Sequence, residues 1–304
     1  MTRSIIQKDF KRNRYIYLMA LPVLAYYLLF HYQPMYGAII AFKDFTPAKG
    51  ILGSPWVGLK HFHTFFTGPY AFRLIRNTFL ISFYELIFGF PAPLLLAILL
   101  NEVLATRYKR VIQTLSYLPH FISLVVICAL IKNFTASTGL VNDIIAFFFG
   151  EKARSTLLQD PSNFRTVYVV SGIWQGVGWG SIIYLAAISK IDQQLYEAAI
   201  IDGAGRFARM VHVTLPGILP TIIIMLILRM GSLMSVGFEK VFLLYNTGIY
   251  ETADVISTYV YRRGIIDTDW SFSAAVGLFN SIVNFILVVT ANFISRKVSE
   301  TSLW

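Results

Sequence analysis

Charge is scarce in this sequence. Only 14% of its 304 residues are Asp, Glu, Lys or Arg, while 56% are hydrophobic; a soluble domain of this size usually carries about 25% charge. The deficit is patterned. No charged residue lies between Arg14 and Lys43, Arg110 and Lys132, Arg165 and Lys190, or Asp269 and Arg296. Each run can cross a hydrocarbon core of roughly 30 Å at about 1.5 Å per residue. Cysteine is nearly absent too. Cys128 is the single one, which excludes an intrachain disulfide and leaves a packed thiol in mid-span. The five histidines are scattered, and no phosphate-binding loop, H-E-x-x-H or Cys/His cluster with metal-ligand spacing occurs. An enzyme reading therefore lacks a convergent acid–base or metal set, and any energy used must be supplied by another chain.

Two further apolar runs hold one charge each: Glu85 lies alone between Asn77 and Leu100, and Arg229 alone between Pro216 and Phe238. Six spans result, so the expected fold is an all-α integral membrane protein with one transmembrane domain over residues 1–304. The first run follows Lys8, Lys11, Arg12 and Arg14 as a signal peptide would. It is longer than an h-region, and His31-Tyr32-Gln33-Pro34 stands where a small-residue cleavage site is needed. It reads as a retained helix from about Tyr15 to the low thirties, loosened at Pro34 and Gly37. Helix 2, from Asn77 to Leu100, should kink at Pro91 and Pro93. Helix 3 is expected over Val111 to Ile131, helix 4 over Thr166 to Ile188, helix 5 from Pro216, and helix 6 from about Phe272 to Ile294.

Orientation follows Lys and Arg. With the N-terminal segment 1–14 inside, the inner pieces carry thirteen basic residues in a little over sixty positions, against twelve over about a hundred in the outer loops. Both termini are thus expected to be cytoplasmic, and the net charge of +10 matches anionic lipid better than nucleic acid. The first outer loop, with Trp56, His61, Phe62, Phe65, Phe66 and Tyr70, has the aromatic density of a lipid–water boundary. The apolar stretch around VNDIIAFFFG reads as another interfacial helix.

The loop at about 189–215 is too long for a plain connector and too apolar for a solvated one. Ile191, Leu195, Ala198 and Ala199 recur at helical spacing, and Asp192 can cap that helix. Asp202-Gly203-Ala204-Gly205 breaks it, because glycine reaches the positive φ of a sharp turn. Phe207, Met210 and Val211 suggest a second short helix, with Arg206, Arg209 and His212 opposite, before Pro216 opens helix 5. By spacing alone the pair is either a knob that another protein receives or an interfacial helix on the lipid.

Polar and aromatic groups at membrane depth need partners, which makes them candidates for a substrate path. In GIWQGVGWGS of helix 4, Gln175, Gly176 and Trp179 could face a sugar, or the glycines could simply let helices approach. Arg229 lies near the midplane of helix 5, where it either pairs with Glu85 or binds a substrate carboxylate bidentately.

Glu197-Ala198-Ala199, Asp202-Gly203-Ala204, Leu215-Pro216 and Pro220 resemble the EAA loop of ABC-importer permeases. Val57-Gly58-Leu59 with Phe62, Asn77-Thr78, Tyr117-Leu118-Pro119, Phe238-Glu239-Lys240-Val241-Phe242 and Tyr259-Val260-Tyr261 extend the likeness to the MalF-like and glycerophosphate-type sugar permeases. FGFPAPLLLAILLNE, FEKVFLLYN and terminal Ser302-Leu303-Trp304 look closest to the LplB-like subgroup, associated with oligosaccharides from complex polysaccharides. The resemblance is carried over for the six-helix core only. It implies a type I importer permease in a bacterial plasma membrane, with a second homologous permease, a pair of ATPase subunits and an extracytoplasmic solute-binding protein. ATP and Mg would belong to the ATPase partners, and this chain would bind no cofactor or metal. Residues 189–215 would be the coupling segment, with Glu197, Ala198, Ala199, Asp202, Gly203, Ala204, Arg206 and Pro216 serving the contact. Aligned through that motif, Gln175, Gly176 and Trp179 fall in the sugar-contacting stretch, with His120 after the matching proline. The substrate expected is an oligosaccharide, including acidic ones such as alginate or pectin fragments. A six-helix secondary transporter or channel is the alternative; it calls for internal repeats, which are not found, and gives the cytoplasmic knob no use.

Overall fold

The computed structural model describes residues 12–298 and Ser302; most of the basic segment 1–14, and Leu303 and Trp304 of the terminal motif, lie outside the described residues. Among the described residues there are helices and one isolated bridge, Lys43 to Trp56, and no strand. Five helices are long and apolar enough to span a membrane, and a bent pair makes the sixth. We number the main helices α1 (Arg14–Phe42), α2 (Ala71–Glu102), α3 (Thr106–Phe121), α4 (Leu124–Phe134), α5 (Leu140–Phe149), α6 (Phe164–Ile188), α7 (Gln193–Ile201), α8 (Arg206–Met230), α9 (Phe238–Leu244) and α10 (Trp270–Val298).

The chain divides into two compact units. One comprises Met1–Thr67 with Arg263–Leu278, the other Gly68–Arg262 with Phe279–Trp304. In the first, α1 buries nothing between Arg14 and Met35, so its apolar side chains are left for lipid or a neighbouring chain. Pro34 and Gly37 do not end it. The helix widens to a π-turn at Leu28–Tyr32 and tightens to a 3-10 stretch at Tyr36–Phe42. The aromatic loop turns partly inward: His61 and Phe65 are buried, and Asp44 takes Lys60 at 2.8 Å and His61 at 3.2 Å. The Lys60 hydrogen bond holds the Asp44 carboxyl below its usual range. Phe45 donates its N–H to the Ser271 hydroxyl at 2.9 Å.

In the second unit, the prolines of α2 and α8 reshape their helices without breaking them. A proline has no N–H and crowds the carbonyl four residues back. In α2 the turn ahead of Pro91 opens into a π-turn, Glu85–Gly89, where Phe90 N–H reaches the Glu85 carbonyl at 2.9 Å. In α8 the same device, Met210–Thr214, precedes Pro216. This corrects the expectation that Pro216 begins helix 5: the helix starts at Arg206, and the supposed second helix of the knob is its first part. The continuous helix 3 over Val111 to Ile131 is also corrected. Pro119 sits in a 3-10 turn, Ile122 and Ser123 are extended, and α3 and α4 meet at 103°.

Buried polar groups knit the loops of this unit. Asp254 is fully buried; Arg262 reaches both its carboxylate oxygens at 2.7 Å, and Arg73 approaches at 3.3 Å. Asn77 donates to the carbonyls of Glu251 and Asp254 and accepts from Arg165 at 2.9 Å. A buried carboxylate is tolerable only when paired and hydrogen-bonded in this way. In α5, Phe147, Phe148 and Phe149 are exposed, while Asn142 is buried and bonds the carbonyls of Ala136 and Ser155, each at 2.7 Å. Cys128 is a buried free thiol.

Candidate functional site

The site grows from the glycine face of α6. Spaced four apart, Gly172, Gly176 and Gly180 lie along one side of the helix. A methyl at Gly180 would touch the Pro93 ring at 3.0 Å, and one at Gly178 would collide with the Ser116 carbonyl. Those two glycines let α2 and α3 approach, the packing role left open above. Gly176 differs. A methyl there would meet nothing within 4 Å, because it opens onto a cavity of about 250 Å³ lined also by Glu85, Gly172, Tyr184, Met225 and Arg229.

Across this cavity α8 presents Arg229 to Glu85 of α2. The guanidinium donates to Glu85 Oε2 at 2.5 Å. The two charges that stood alone in their apolar runs are therefore partners, 144 residues apart in sequence. Neither is sealed in: Arg229 is 36% exposed and Glu85 23%. Behind Gly172 stands a third charge that the sequence reading did not single out for chemistry, Lys240 of α9. It is buried and donates to the Tyr168 carbonyl at 2.8 Å, with its ammonium 4.6 Å from the centre of the Tyr168 ring. Burial pushes it down to about 8, while the Glu85 carboxylate pulls the other way. Nothing in FEKVF marked it, because Glu239 precedes it and a charged pair in a loop normally reaches water.

His120 and Trp179 lie apart from the cavity lining and against each other. Their rings stack at 4.7 Å and 3°, with Phe121 edge-on to Trp179 at 5.6 Å. His120 is exposed and Trp179 keeps 46% of its surface open. Gln175, one turn before Trp179 on the same face of α6, is half-buried and does not line the cavity. The structure thus brings Glu85, Gly176 and Arg229 together in one place and His120 with Trp179 in another.

At the other end of α6 and α8 lies the knob. Asp192 accepts from Gln194 N–H at 3.0 Å and caps α7. Gly203 has φ +78°; its N–H bonds the Ile200 carbonyl at 3.0 Å, and Ala204 N–H bonds the Ala199 carbonyl at 2.8 Å. That pair of bonds closes the helix end in a Schellman turn. Glu197, Ala198, Asp202, Gly203 and Arg206 are exposed, Ala199 and Ala204 half-buried. Pro216, within α8, is exposed as well. So are Leu195, Ile200, Ile201 and Phe207, with Ile201 at 84%, an apolar set left without cover in this chain. Two contacts fasten α7 to α8. Tyr196 and Thr214 hydroxyls meet at 2.9 Å, and Ile191 fills the space over Gly217, where a methyl would stand 2.7 Å from it. Ile191 also joins the cluster of Ala97, Ile98, Tyr184, Ile188 and Ile218, so the knob continues into the packed helices. Among the described residues no group of three or more metal-ligating side chains occurs.

Residues 89–300 match the family described as "Binding-protein-dependent transport system inner membrane component". Protein LplB of Bacillus subtilis (strain 168) is 48% identical over 97% of this chain and 92% of its own length. The polygalacturonan/rhamnogalacturonan transport system permease protein YteP of the same organism is 47% identical over 96% and 91%. Among solved structures, a chain of a bacterial ABC transporter involved in the import of the acidic polysaccharide alginate superposes with TM-score 0.88 at 42% identity, covering 97% of this chain and 99% of that one. A chain of a bacterial alginate ABC transporter in complex with an alginate pentasaccharide-bound periplasmic protein gives TM-score 0.89 at 42% identity, covering 97% of this chain and 99% of that one. This chain belongs to the inner-membrane permease components of binding-protein-dependent transport systems.

Proposed function

We propose that this chain is one permease subunit of an ATP-binding-cassette importer that carries a uronate-containing oligosaccharide into the cytoplasm. The observation that carries the acidic part is the charge balance around the cavity: its lining holds one carboxylate, Glu85, and one cation, Arg229, and a second cation, Lys240, is buried behind Gly172. A guanidinium that is part exposed and preorganised for bidentate contact suits a planar carboxylate on the substrate. The relatives support this reading, since polygalacturonan and alginate are both chains of uronates. The chain would work with a second permease, an ATPase pair that binds ATP and Mg, and an extracytoplasmic binding protein, in the plasma membrane with both termini cytoplasmic. Glu197, Ala198, Ala199, Asp202, Gly203, Ala204, Arg206 and Pro216 would form the ATPase-coupling contact, and the exposed apolar set on the knob supports it.

The test is uptake by the assembled complex in proteoliposomes, offered an alginate pentasaccharide and its carboxyl-reduced, neutral counterpart. We expect the acidic oligomer to be favoured by about tenfold or more, the worth of one good charge-assisted contact. Equal uptake of the two would overturn the acidic assignment. His120, Gln175 and Trp179 would line a second part of the sugar path, apart from the charge cluster. The stacked His120–Trp179 pair presents an aromatic face of the kind sugar rings lie on. Trp179→Ala should lower uptake of both oligomers about three- to tenfold while the complex still purifies intact. Normal uptake, or a complex that no longer assembles, would return Trp179 to helix packing.

A further inference from the structure

Lys240 is buried in a place where a cation is expensive. It is 7% exposed, and among the described residues no carboxylate lies within ion-pair distance of it. One of its three donors goes to the Tyr168 carbonyl, and the ring face of the same residue takes another. Its Nζ also lies close to Gly172. A methyl built on Gly172 would lie 3.2 Å from Lys240 Nζ and 3.8 Å from Glu85 Oε1. The ammonium and the carboxylate therefore both lie near one glycine, beyond ion-pair distance of each other, while the other carboxylate oxygen of Glu85 is taken by Arg229. Arg229 faces the cavity and is far more exposed than Lys240.

This arrangement has one part-exposed cation and one buried cation near a single carboxylate. If Arg229 turned to a substrate carboxylate with Glu85 left alone, an uncompensated charge would be stranded at membrane depth, which is costly. We propose that Lys240 is a positioning residue that retains Glu85 when Arg229 engages a substrate carboxylate, so that the Glu85–Arg229 pair works as an exchangeable latch on acidic oligosaccharides. The inference rests on the acidic-substrate reading above. It explains why a lysine is kept dry behind Gly172 at the cost of desolvation, and why the substitution of Gly172 by any larger residue would separate the two charges.

The experiment uses the assembled complex in proteoliposomes, with alginate pentasaccharide and its carboxyl-reduced counterpart measured side by side. In Lys240→Met the carboxylate has Arg229 alone, so the substrate must compete with Glu85. KM for the acidic oligomer should rise, and the ratio of acidic to neutral uptake should fall about tenfold, within the usual range of coupling between sites. In the double variant Lys240→Met, Glu85→Gln nothing competes for Arg229, and that ratio should return to within about threefold of the wild type. A loss equal for both oligomers, no loss, or a double variant no better than the single one overturns the latch. Failure of both variants to assemble overturns it also, leaving Lys240 as a packing group. A wild-type complex with no preference for the acidic oligomer overturns the acidic reading and the latch together, whereas a wild-type preference untouched by Lys240→Met removes the latch alone.

Discussion

Replacing Arg229 by Met is expected to reduce uptake of an acidic oligosaccharide by about a hundredfold, the worth of a desolvated bidentate contact. Stability should change far less. Breaking a fully buried ion pair costs about 3–5 kcal/mol because a charge is left unmatched. Here Glu85 keeps 23% exposure and has Lys240 across Gly172, so the loss should be about 1–3 kcal/mol, discounted for solvent screening. The double variant Arg229→Met, Glu85→Gln removes the stranded carboxylate and should recover most of the thermal midpoint of the complex. It should not recover acidic uptake, because the guanidinium is still missing. This separation of the two readouts is the measurement that matters. If the double variant restored uptake along with stability, the pair would be a helix clasp and its carboxylate-binding role would be gone.

The parts of the fold legible in the sequence were those that repeat along one helix. Charge-free runs mark the spans because hydrocarbon penalises every ionised group, and Glu85 and Arg229 stood out as the exceptions, found here in contact. Asp202-Gly203 was legible for the same local reason, since a positive φ depends on the residue itself. What stayed hidden depends on other elements. The break after Pro119 needs Ile122 and Ser123 to be extended together, a choice that the packing around them makes. The start of α8 was misplaced because a proline at a helix N-terminus and a proline behind a π-turn have the same sequence signature. Lys240 was invisible as a site residue, since a loop lysine normally reaches water; only the folded chain buries it behind Gly172. Gly176 and Gly178 are two residues apart and look alike on paper, yet one opens a cavity and the other admits the Ser116 backbone.

Gly203→Val should lower substrate-stimulated ATP hydrolysis and uptake together while leaving the substrate cavity intact. At φ +78° a β-branched side chain is held in the left-handed region at a cost of about 1–2 kcal/mol. The chain can escape that strain by giving up the Ile200 and Ala199 carbonyl bonds that close α7. Either way the direction in which the chain leaves α7 for α8 changes. A coupling segment would transmit force only if stiff, and here that turn, the Tyr196–Thr214 bond and the Ile191–Gly217 contact hold the knob to α8. We therefore expect substrate-stimulated ATP hydrolysis and uptake to fall together by about tenfold or more, an amount set by a strain of that size at a contact that must form every cycle. Gly203→Asn, which tolerates the same φ at little cost, should retain most of both. Glu197→Lys tests the surface where the turn variant tests the frame. The carboxylate is exposed, so its reversal should leave this chain's fold unchanged and act only on a partner that presents a basic group. The measurements are stimulated ATP hydrolysis and uptake in proteoliposomes, with binding of the loaded solute-binding protein as the control for the opposite face. Unchanged stimulation in both Gly203→Val and Glu197→Lys would remove the coupling assignment from this segment and return it to the alternative of a helix resting on the lipid surface.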